Sequence, residues 1–212
     1  CYPSVSAIQE EVDLAVIIVA ANRVSAVIDE CIKKGIRNAV VITSDFSETG
    51  EEGAALEREI AAKAKAGGMR FVGPNTMGIF NAYSNLNVLM SPIKAEPGYV
   101  SVISQSGNVG IQILNECLKH GIGVSKLVSS GNEADIKCEE YLSYMANDEK
   151  TKVIILYIES FKNGKEFIRV CKEIKAAKPI IIYKAGKTKS GMSAAASHTG
   201  AMLSIMTFLS CS

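Results

Sequence analysis

The feature of this sequence that most constrains its fold is a regular alternation of short apolar runs with helical patterns. Leu14–Ala20 is an apolar run of strand length, Ala39–Thr43 is the next predicted strand, and Arg70–Val72 is a short one. The segments between them, Val24–Lys34 and Glu51–Ala66, have the spacing or the composition of helices. Strands that are apolar throughout are typical of a parallel sheet covered on both faces. This part of the chain therefore predicts an α/β unit with a parallel sheet.

A second α/β unit follows the first. Residues Thr76–Gly98 contain several Asn and Pro residues, lack a long helical period and are interpreted as the link between the units. The alternating strands and helices of the second unit are Tyr99–Ile103, Gly107–His120, Gly123–Val128, Ile136–Met145, Lys152–Ile158, Glu166–Ala177 and Pro179–Tyr183. This order predicts a flavodoxin-like doubly wound parallel sheet, in which ligands bind outside the carboxyl ends of the strands.

Charge and composition exclude several classes of function. The net charge of +1 gives no electrostatic reason to bind nucleic acid, and the longest apolar run, Leu14–Ala21, is too short to span a membrane. The six cysteines are scattered, and none lies in a CxxC pair. This favours free thiols in a reducing compartment, the cytoplasm or the interior of an organelle. With only two histidines, His120 and His198, we expect no metal site.

Two strand ends of the second unit carry residues suited to chemistry. Ser106, Gly107 and Asn108 follow a strand and begin a helix, where free N–H groups and the positive dipole end can hold a phosphate. A plain N-cap by Ser106 is the more common explanation of such a sequence. Glu159 follows another strand, and it is either a carboxylate of the site or a solvated charge.

The last strand is followed by a long run of small residues that contains one histidine, His198. Gly, Ser and Ala let the backbone approach a ligand closely. A lone histidine is more often structural than catalytic, but His198 belongs to no apolar stripe and follows the carboxyl end of a strand. Gly186-Lys187-Thr188 is similar to the end of a P-loop, but Ile181 occupies the position of the first glycine, which excludes that motif.

Six short motifs occur in one order along the chain: Gly73-Pro74-Asn75, Ser104-Gln105-Ser106-Gly107, Ser130-Gly131-Asn132, Tyr157-Ile158-Glu159, Lys184-Ala185-Gly186-Lys187-Thr188 and Ser197-His198-Thr199-Gly200. Together they resemble the α subunits of ADP-forming acetyl-CoA synthetases, relatives of succinyl-CoA synthetase within the nucleotide-forming acyl-CoA synthetase family. The resemblance runs from Cys1 to about Ala201. It implies a truncated Rossmann-like CoA-binding domain over 1–81, a linker over 82–98 and a flavodoxin-like domain over 99–212 that carries the phosphohistidine loop.

The resemblance also implies an activity, that of an acid–CoA ligase (ADP-forming). Acyl-CoA would react with inorganic phosphate to give CoA and an acyl phosphate, which would then phosphorylate His198. Glu159 would orient the imidazole, and Ser106, Gly107 and Asn108 would bind the phosphoryl group. ADP or ATP and Mg²⁺ would bind to an ATP-grasp β subunit or domain, without which this chain would be incomplete. We expect an oligomer, with no nucleic-acid or membrane partner.

CoA itself would bind at the strand ends of the first unit. The residues implied are Val19, Ala20, Ala21, Thr43 and Ser44. The first strand of the family's CoA domain and its Gly-rich loop are not found in this sequence, and Asp45 stands where Gly is frequent in the family. Two rival functions stay open, a non-catalytic module that senses CoA or acyl-CoA and an inactive truncated remnant. Retention of His198 favours the enzyme.

Overall fold

The computed structural model describes residues 1–93, 95–175 and 178–185. The chain forms two compact units. The first unit comprises residues 1–78 and 129–137, and the second comprises residues 79–128 and those from 138 onward. The chain therefore passes from one unit to the other three times, after residues 78, 128 and 137.

The first unit is a parallel α/β layer. Its strands pair in the order β1-β2-β3, and both pairings are parallel, as predicted. Helix α1 buries Val24, Ile28 and Cys31, which lie on one face because they recur at helical spacing. Helices α1 and α2 pack on each other. The elements are β1 Leu14–Ile17, α1 Ala21–Lys34, β2 Asn38–Val41, α2 Glu51–Ala66 and β3 Arg70–Val72.

Residues 129–137 belong to the first unit although they follow a strand of the second sheet. Gly131 has a φ of +60° and lies so close to Pro74 that an added Cβ atom would meet the Pro74 carbonyl oxygen at 2.2 Å. The N–H of Asn132 donates to this oxygen at 2.9 Å. The close approach requires glycine at position 131, and it explains why the Gly73-Pro74-Asn75 and Ser130-Gly131-Asn132 motifs occur in one sequence.

The same segment also reaches the last strand of the first sheet. The Asp135 carboxylate accepts hydrogen bonds from Arg70 Nε at 2.9 Å and from the backbone N–H of Phe71 at 2.8 Å. Ala134 packs against the core of this unit. Residues 129–137 are therefore an integral part of the first unit, by both polar and apolar contacts.

The second unit is built on a six-stranded sheet with the order β5-β4-β7-β6-β8-β9 among the described residues. β6, β8 and β9 are parallel neighbours, and β7 lies on the other side of β6. This is the flavodoxin-like order, which confirms the predicted fold class. The elements are β4 Gly78–Asn81, β5 Leu86–Leu89, β6 Val100–Ser104, α3 Gly107–Lys119, β7 Val124–Ser129, α4 Cys138–Asn147, β8 Val153–Ile158, α5 Gly164–Lys175 and β9 Ile180–Lys184.

The segment interpreted as a link differs from the prediction. Part of Thr76–Gly98 extends the second sheet, because β4 pairs antiparallel with β7, with Ile79 opposite Val128, and β5 lies beside β4. Each of these strands has only four residues, too few for a periodic pattern to be recognised. The division after residue 78 also lies before the predicted boundary at residue 81.

Candidate active site

Three adjacent parallel strands of the second unit end side by side. In the pairing of β6 with β8, Ser104 is opposite Tyr157, and in the pairing of β8 with β9, Ile158 is opposite Lys184. The backbone N–H of Gln105 donates to the Tyr157 carbonyl at 3.1 Å and so extends the ladder past the end of β6. The residues that follow β6 and β8 are therefore held at one edge of the sheet.

The backbone of Glu159 is fixed on both sides. Its N–H donates to Gln105 Oε1 at 2.7 Å, and its carbonyl accepts from Lys184 Nζ at 2.6 Å. Gln105 also binds the next residue, since its Oε1 accepts from the N–H of Ser160 at 3.0 Å and its Nε2 donates to the Ser160 carbonyl at 2.9 Å. Glu159 thus leaves the strand in one backbone conformation that side chains from both neighbouring strands stabilise.

The carboxylate of Glu159 interacts with the phenol of Tyr157. Burial raises the pKa of Tyr157 to about 12, together with the negative charge of Glu159 and the hydrogen bond between the two side chains. The Tyr157 ring stacks on that of Tyr183, with centroids 5.4 Å apart and planes 18° apart. The phenol is therefore neutral near pH 7 and serves as a hydrogen-bond donor. Glu159 itself is only partly buried, so its carboxylate remains accessible.

The start of α3 lies next to this carboxyl edge. Within the described residues, the Ser106 hydroxyl makes no capping hydrogen bond, and the first turn of α3 contains no acid. The alternative prediction, a plain side-chain cap by Ser106, is therefore wrong. Gly110 sets the helix close to β6, because an added Cβ atom there would lie 3.1 Å from Ser104 Cβ. Gly107 and the exposed Asn108 begin the helix, whose first N–H groups suit an anion.

The predicted nucleophile, His198, lies outside the described residues, as does the small-residue loop around it. Its place beside Glu159 therefore stays a prediction. The other histidine, His120, follows the carboxyl end of α3, away from the helix start at Ser106, and is exposed.

The residues expected to contact CoA lie in the first unit, at the carboxyl ends of two neighbouring strands. Val19 and Ala20 connect β1 to α1, whose first residue is Ala21, and Thr43 and Ser44 follow β2. The Thr43 hydroxyl donates to the Val19 carbonyl at 2.8 Å and accepts from the Val19 N–H at 3.3 Å. Within the described residues the first turn of α1 has neither a side-chain cap nor an acid.

Sequence reasoning assigned no role to Gln105, Tyr157 or Lys184, although each lies in one of the motifs that carry the resemblance. The available signal was their position. Each of the three motifs ends a strand, and consecutive parallel strands place their carboxyl ends at one edge of the sheet. Which backbone groups a glutamine or lysine reaches there depends on the strand register, which the motifs alone do not specify.

The described part of the chain contains neither a candidate metal site nor a candidate membrane span. No group of three or more His, Cys, Asp or Glu side chains there could hold a metal ion. Among the described residues Cys1, Cys31 and Cys117 are free thiols, and burial raises the pKa of the Cys31 and Cys117 thiols. No helix among these residues combines the length and the apolar character needed to cross a membrane.

Comparison with known proteins agrees with the resemblance. Residues 97–209, more than half of the chain, match the family described as "Succinyl-CoA ligase like flavodoxin domain". The chain belongs to the nucleotide-forming acyl-CoA synthetase family. Residues 1–82 of this synthetase-family chain match a second family, described as "CoA binding domain".

Three relatives illustrate the similarity. The α subunit of acetate–CoA ligase (ADP-forming) II from Pyrococcus furiosus is 45% identical over 201 residues, which are 95% of this chain and 44% of that protein. Acetate–CoA ligase (ADP-forming) I from Archaeoglobus fulgidus is 43% identical over 202 residues, 95% of this chain and 30% of that protein. A solved structure of acetyl-coenzyme A synthetase 1 from Ca. Korarchaeum cryptofilum, in complex with phosphate and ADP, has a TM-score of 0.87 at 42% identity. That match covers 97% of this chain and 44% of the solved one.

This synthetase-family chain therefore spans less than half the length of each of these relatives. The strand-end cluster of Gln105, Tyr157, Glu159 and Lys184 lies within the part that matches the succinyl-CoA ligase-like flavodoxin family. The Thr43 and Val19 contact lies within the part that matches the CoA-binding family.

Proposed function

We propose that this chain is the α portion of an ADP-forming acyl-CoA synthetase, an acid–CoA ligase that acts through a phosphohistidine. Acyl-CoA and inorganic phosphate would give an acyl phosphate and free CoA. The acyl phosphate would then transfer its phosphoryl group to His198 and leave as the free acid. The single observation that carries this proposal is Glu159, which is accessible, fixed through its backbone and placed at the carboxyl end of a central parallel strand.

Glu159 is assigned to the support of the histidine. A carboxylate that bonds one ring nitrogen fixes the tautomer of the imidazole, so that the other nitrogen can attack phosphorus. It also offsets the positive charge that the ring gains during the attack. The rigid backbone of Glu159 suits this role because small displacements of a catalytic group are costly in rate. The names of the relatives, which are ADP-forming CoA ligases, agree with this chemistry.

The phosphoryl group is assigned to the start of α3, at Ser106, Gly107 and Asn108. Support comes from the free N–H groups of this turn and from the absence, among its described residues, of an acid or a side-chain cap that would compete with an anion. The Ser106 backbone is held in place because its carbonyl accepts from Ser104 Oγ at 2.6 Å.

CoA is assigned to residues 1–81, at Val19, Ala20, Ala21, Thr43 and Ser44. Support comes from the match to a CoA-binding family and from the small side chains at these strand ends, of which Ala20 and Ser44 are exposed and the others partly buried. The start of α1 offers N–H groups to a phosphate of CoA in the way that α3 does in the second unit. Residues 99–212 would form the domain that carries the phosphohistidine loop.

The remaining steps are assigned to a partner. An ATP-grasp β subunit or fused domain would hold ADP and Mg²⁺ and accept the phosphoryl group from His198. The share of the relatives' length that this chain covers leaves room for such a part, and the working protein would be an oligomer or a longer fusion. The free thiols of Cys1, Cys31 and Cys117 fit a cytoplasmic location.

The proposal is tested by incorporation of label from acetyl [³²P]phosphate, with the ATP-grasp partner supplied if the chain alone does not react. Label that is stable in base and labile in acid should appear in the unaltered protein and in His120→Ala, the matched control. His198→Ala should abolish it. Glu159→Gln should slow it about a hundredfold, the size of a typical acid–base contribution.

Two outcomes would contradict the proposal. Label that persists in His198→Ala would place the phosphate elsewhere. Absence of label in the unaltered protein with a competent partner, together with binding of acyl-CoA, would favour the sensing module.

A further inference from the structure

Gln105 makes more contacts across the sheet than a residue that simply follows a strand. Its backbone N–H donates to the carbonyl of Tyr157, and its side chain forms three hydrogen bonds with the backbone of Glu159 and Ser160. One oxygen, Oε1, accepts both N–H groups, at 2.7 Å and 3.0 Å. The amide Nε2 donates to the Ser160 carbonyl at 2.9 Å.

These side-chain bonds take the place of backbone hydrogen bonds between β6 and β8 beyond the point where the pairing of the two strands ends. The Glu159 and Ser160 N–H groups lie beyond the last register pair of β6 with β8, Ser104 with Tyr157. A backbone N–H without a partner at such a place costs free energy unless water or a side chain binds it. A primary amide can accept from two donors through its oxygen and donate to one acceptor through its nitrogen, whereas an ionised carboxylate can only accept.

The direction of the Glu159 side chain follows from the bonds to its backbone. Gln105 holds its N–H from the β6 side, and Lys184 holds its carbonyl from the β9 side. Tyr157, two residues earlier and near the end of β8, interacts with the Glu159 carboxylate. Among these contacts of the described residues, only the Gln105 amide binds the Glu159 N–H. Removal of this amide would therefore release that N–H.

We propose that Gln105 is a positioning residue for the phosphoryl transfer, because its amide fixes the backbone of Glu159 and so directs the Glu159 carboxylate toward the histidine. This inference rests on the proposed function for its link to the reaction. Gln105 itself touches neither the phosphoryl group nor the imidazole in this role. Gln105 acts on the reaction only through the position of Glu159. If Gln105 did no more than end the sheet, its replacement would leave the position of Glu159 unchanged.

The first measurement is of structure and needs no activity. Gln105→Met, which has a similar volume but lacks the amide, is compared in the full chain with Gln112→Met, the same change at an exposed position of α3. We expect amide hydrogen exchange at Glu159 and Ser160 to become at least tenfold faster in Gln105→Met alone, followed by NMR. Equal exchange rates in the two variants would overturn the proposal.

The second measurement is the titration of Tyr157 by NMR of ¹³C-labelled tyrosine, with its signal identified by Tyr157→Phe. The pKa of about 12 depends partly on Glu159, so displacement of Glu159 should lower it toward the ordinary value of 10. Gln105→Met should shift it in the same direction as Glu159→Gln. A Tyr157 titration that is identical in Gln105→Met and in the unaltered chain would also overturn the proposal.

The third measurement is labelling of His198, which should be about tenfold slower in Gln105→Met than in Gln112→Met. If Gln105→Met does not fold, Gln105→Glu decides, because its carboxylate still accepts from both N–H groups and should keep their exchange slow. Fast exchange in Gln105→Glu would contradict the role assigned to the acceptor oxygen. Lack of label in every variant, with exchange and titration as expected, would refute the proposed function while leaving the control of Glu159 by Gln105 intact.

Discussion

The strand ends of the two units use polar side chains in opposite ways. In the second unit, the side chains of Gln105 and Lys184, from the two neighbours of β8, both bind the backbone of Glu159, which follows β8. In the first unit, the Thr43 hydroxyl connects β2 to the loop after β1, and the neighbouring Val19 and Ala20 offer no polar side chain. One edge presents a carboxylate in a fixed position, whereas the other presents backbone groups and small side chains.

This difference separates two tasks. A reacting group must be held within a fraction of an ångström, and hydrogen bonds from several strands achieve this. A large ligand is bound best by a surface it can approach closely, for which small residues at a helix start suffice. The two edges of this chain therefore agree with the proposed division, in which the second unit would carry out the phosphoryl chemistry and the first would bind CoA.

Ion pairs provide the largest expected difference between the units. Lys126 pairs with Asp148 at 2.5 Å with side chains only 7% and 16% exposed, whereas Lys63 pairs with Asp29 at 2.7 Å with side chains 27% and 45% exposed. Burial opposes ionisation of Asp148, but hydrogen bonds from Lys126 and Thr151 outweigh it and lower its pKa. We expect Lys126→Met to lower the free energy of unfolding by about 3–5 kcal/mol, and Lys63→Met by about 0–1 kcal/mol.

Urea unfolding of both variants checks this expectation. Losses of equal size would show that burial does not distinguish the two pairs, and the second unit would then be no more dependent on its polar contacts than the first.

A glycine substitution tests how strongly residues 129–137 contribute to the stability of the first unit. Gly131→Ala places a methyl group against the Pro74 carbonyl, 2.2 Å away, at a φ of +60°. Left-handed backbone conformation costs an alanine about 1–2 kcal/mol, and the steric overlap adds about as much again. The control is Gly35→Ala at the end of α1, where φ is +91° and no atom lies within 4 Å of the added Cβ.

We expect thermal unfolding to show a loss of about 3 kcal/mol for Gly131→Ala, the sum of both effects, and of about 1 kcal/mol for Gly35→Ala. A Gly131→Ala protein as stable as the control would mean that residues 129–137 can leave the first unit at little cost.

The smallest expected effect is a pH dependence in the second unit. The folded-state pKa of Tyr157 is about 12, above the ordinary value of 10. The folded protein therefore keeps a proton that the unfolded chain releases between these values. The contribution of Tyr157 to stability is full below pH 10 and is lost as the pH rises toward 12, by about 2 kcal/mol in all.

Urea unfolding between pH 9 and pH 12 tests this dependence, with the pH values set by the cited pKa values. The stability of the unaltered protein should fall more steeply than that of Tyr157→Phe. Tyr99→Phe, a change at an exposed tyrosine of the same unit, should leave the slope as it is. A slope unaffected by Tyr157→Phe would show that folding does not raise the pKa of Tyr157.

Most of the fold could be predicted because its long elements carry local signals. Helix α2 and strand β3 have the predicted bounds. Ala, Glu and Lys favour a helix over Glu51–Ala66, and Phe71 and Val72 of the following strand are residue types that favour strands. β4 and β5 could not be predicted in the same way. Their stability comes from pairing with strands distant in sequence, and four residues contain too little pattern to reveal it.

The site shows the same limit at the level of single side chains. Glu159 could be identified because it follows an apolar strand and lies in a recognisable motif. The contacts of Gln105 could not, because they require that Ser104 pair with Tyr157, and a shift of one residue would send the amide elsewhere. The Ser106 cap failed for a related reason. Local sequence predicts that a cap is possible, but the rotamer of the hydroxyl is decided by its surroundings.

The return of residues 129–137 to the first unit has a consequence for how such proteins can be rearranged in evolution. A gene fusion joins sequences at a point, and a cut between residues 81 and 99 would take away the segment in which Gly131 approaches Pro74 and Asp135 binds Arg70. The first unit would then be joined to a different segment 129–137, one that evolved in contact with another first unit. Exchange of whole two-unit blocks avoids this mismatch, so the pair should be inherited together even where the surrounding parts of the protein are separated or reordered.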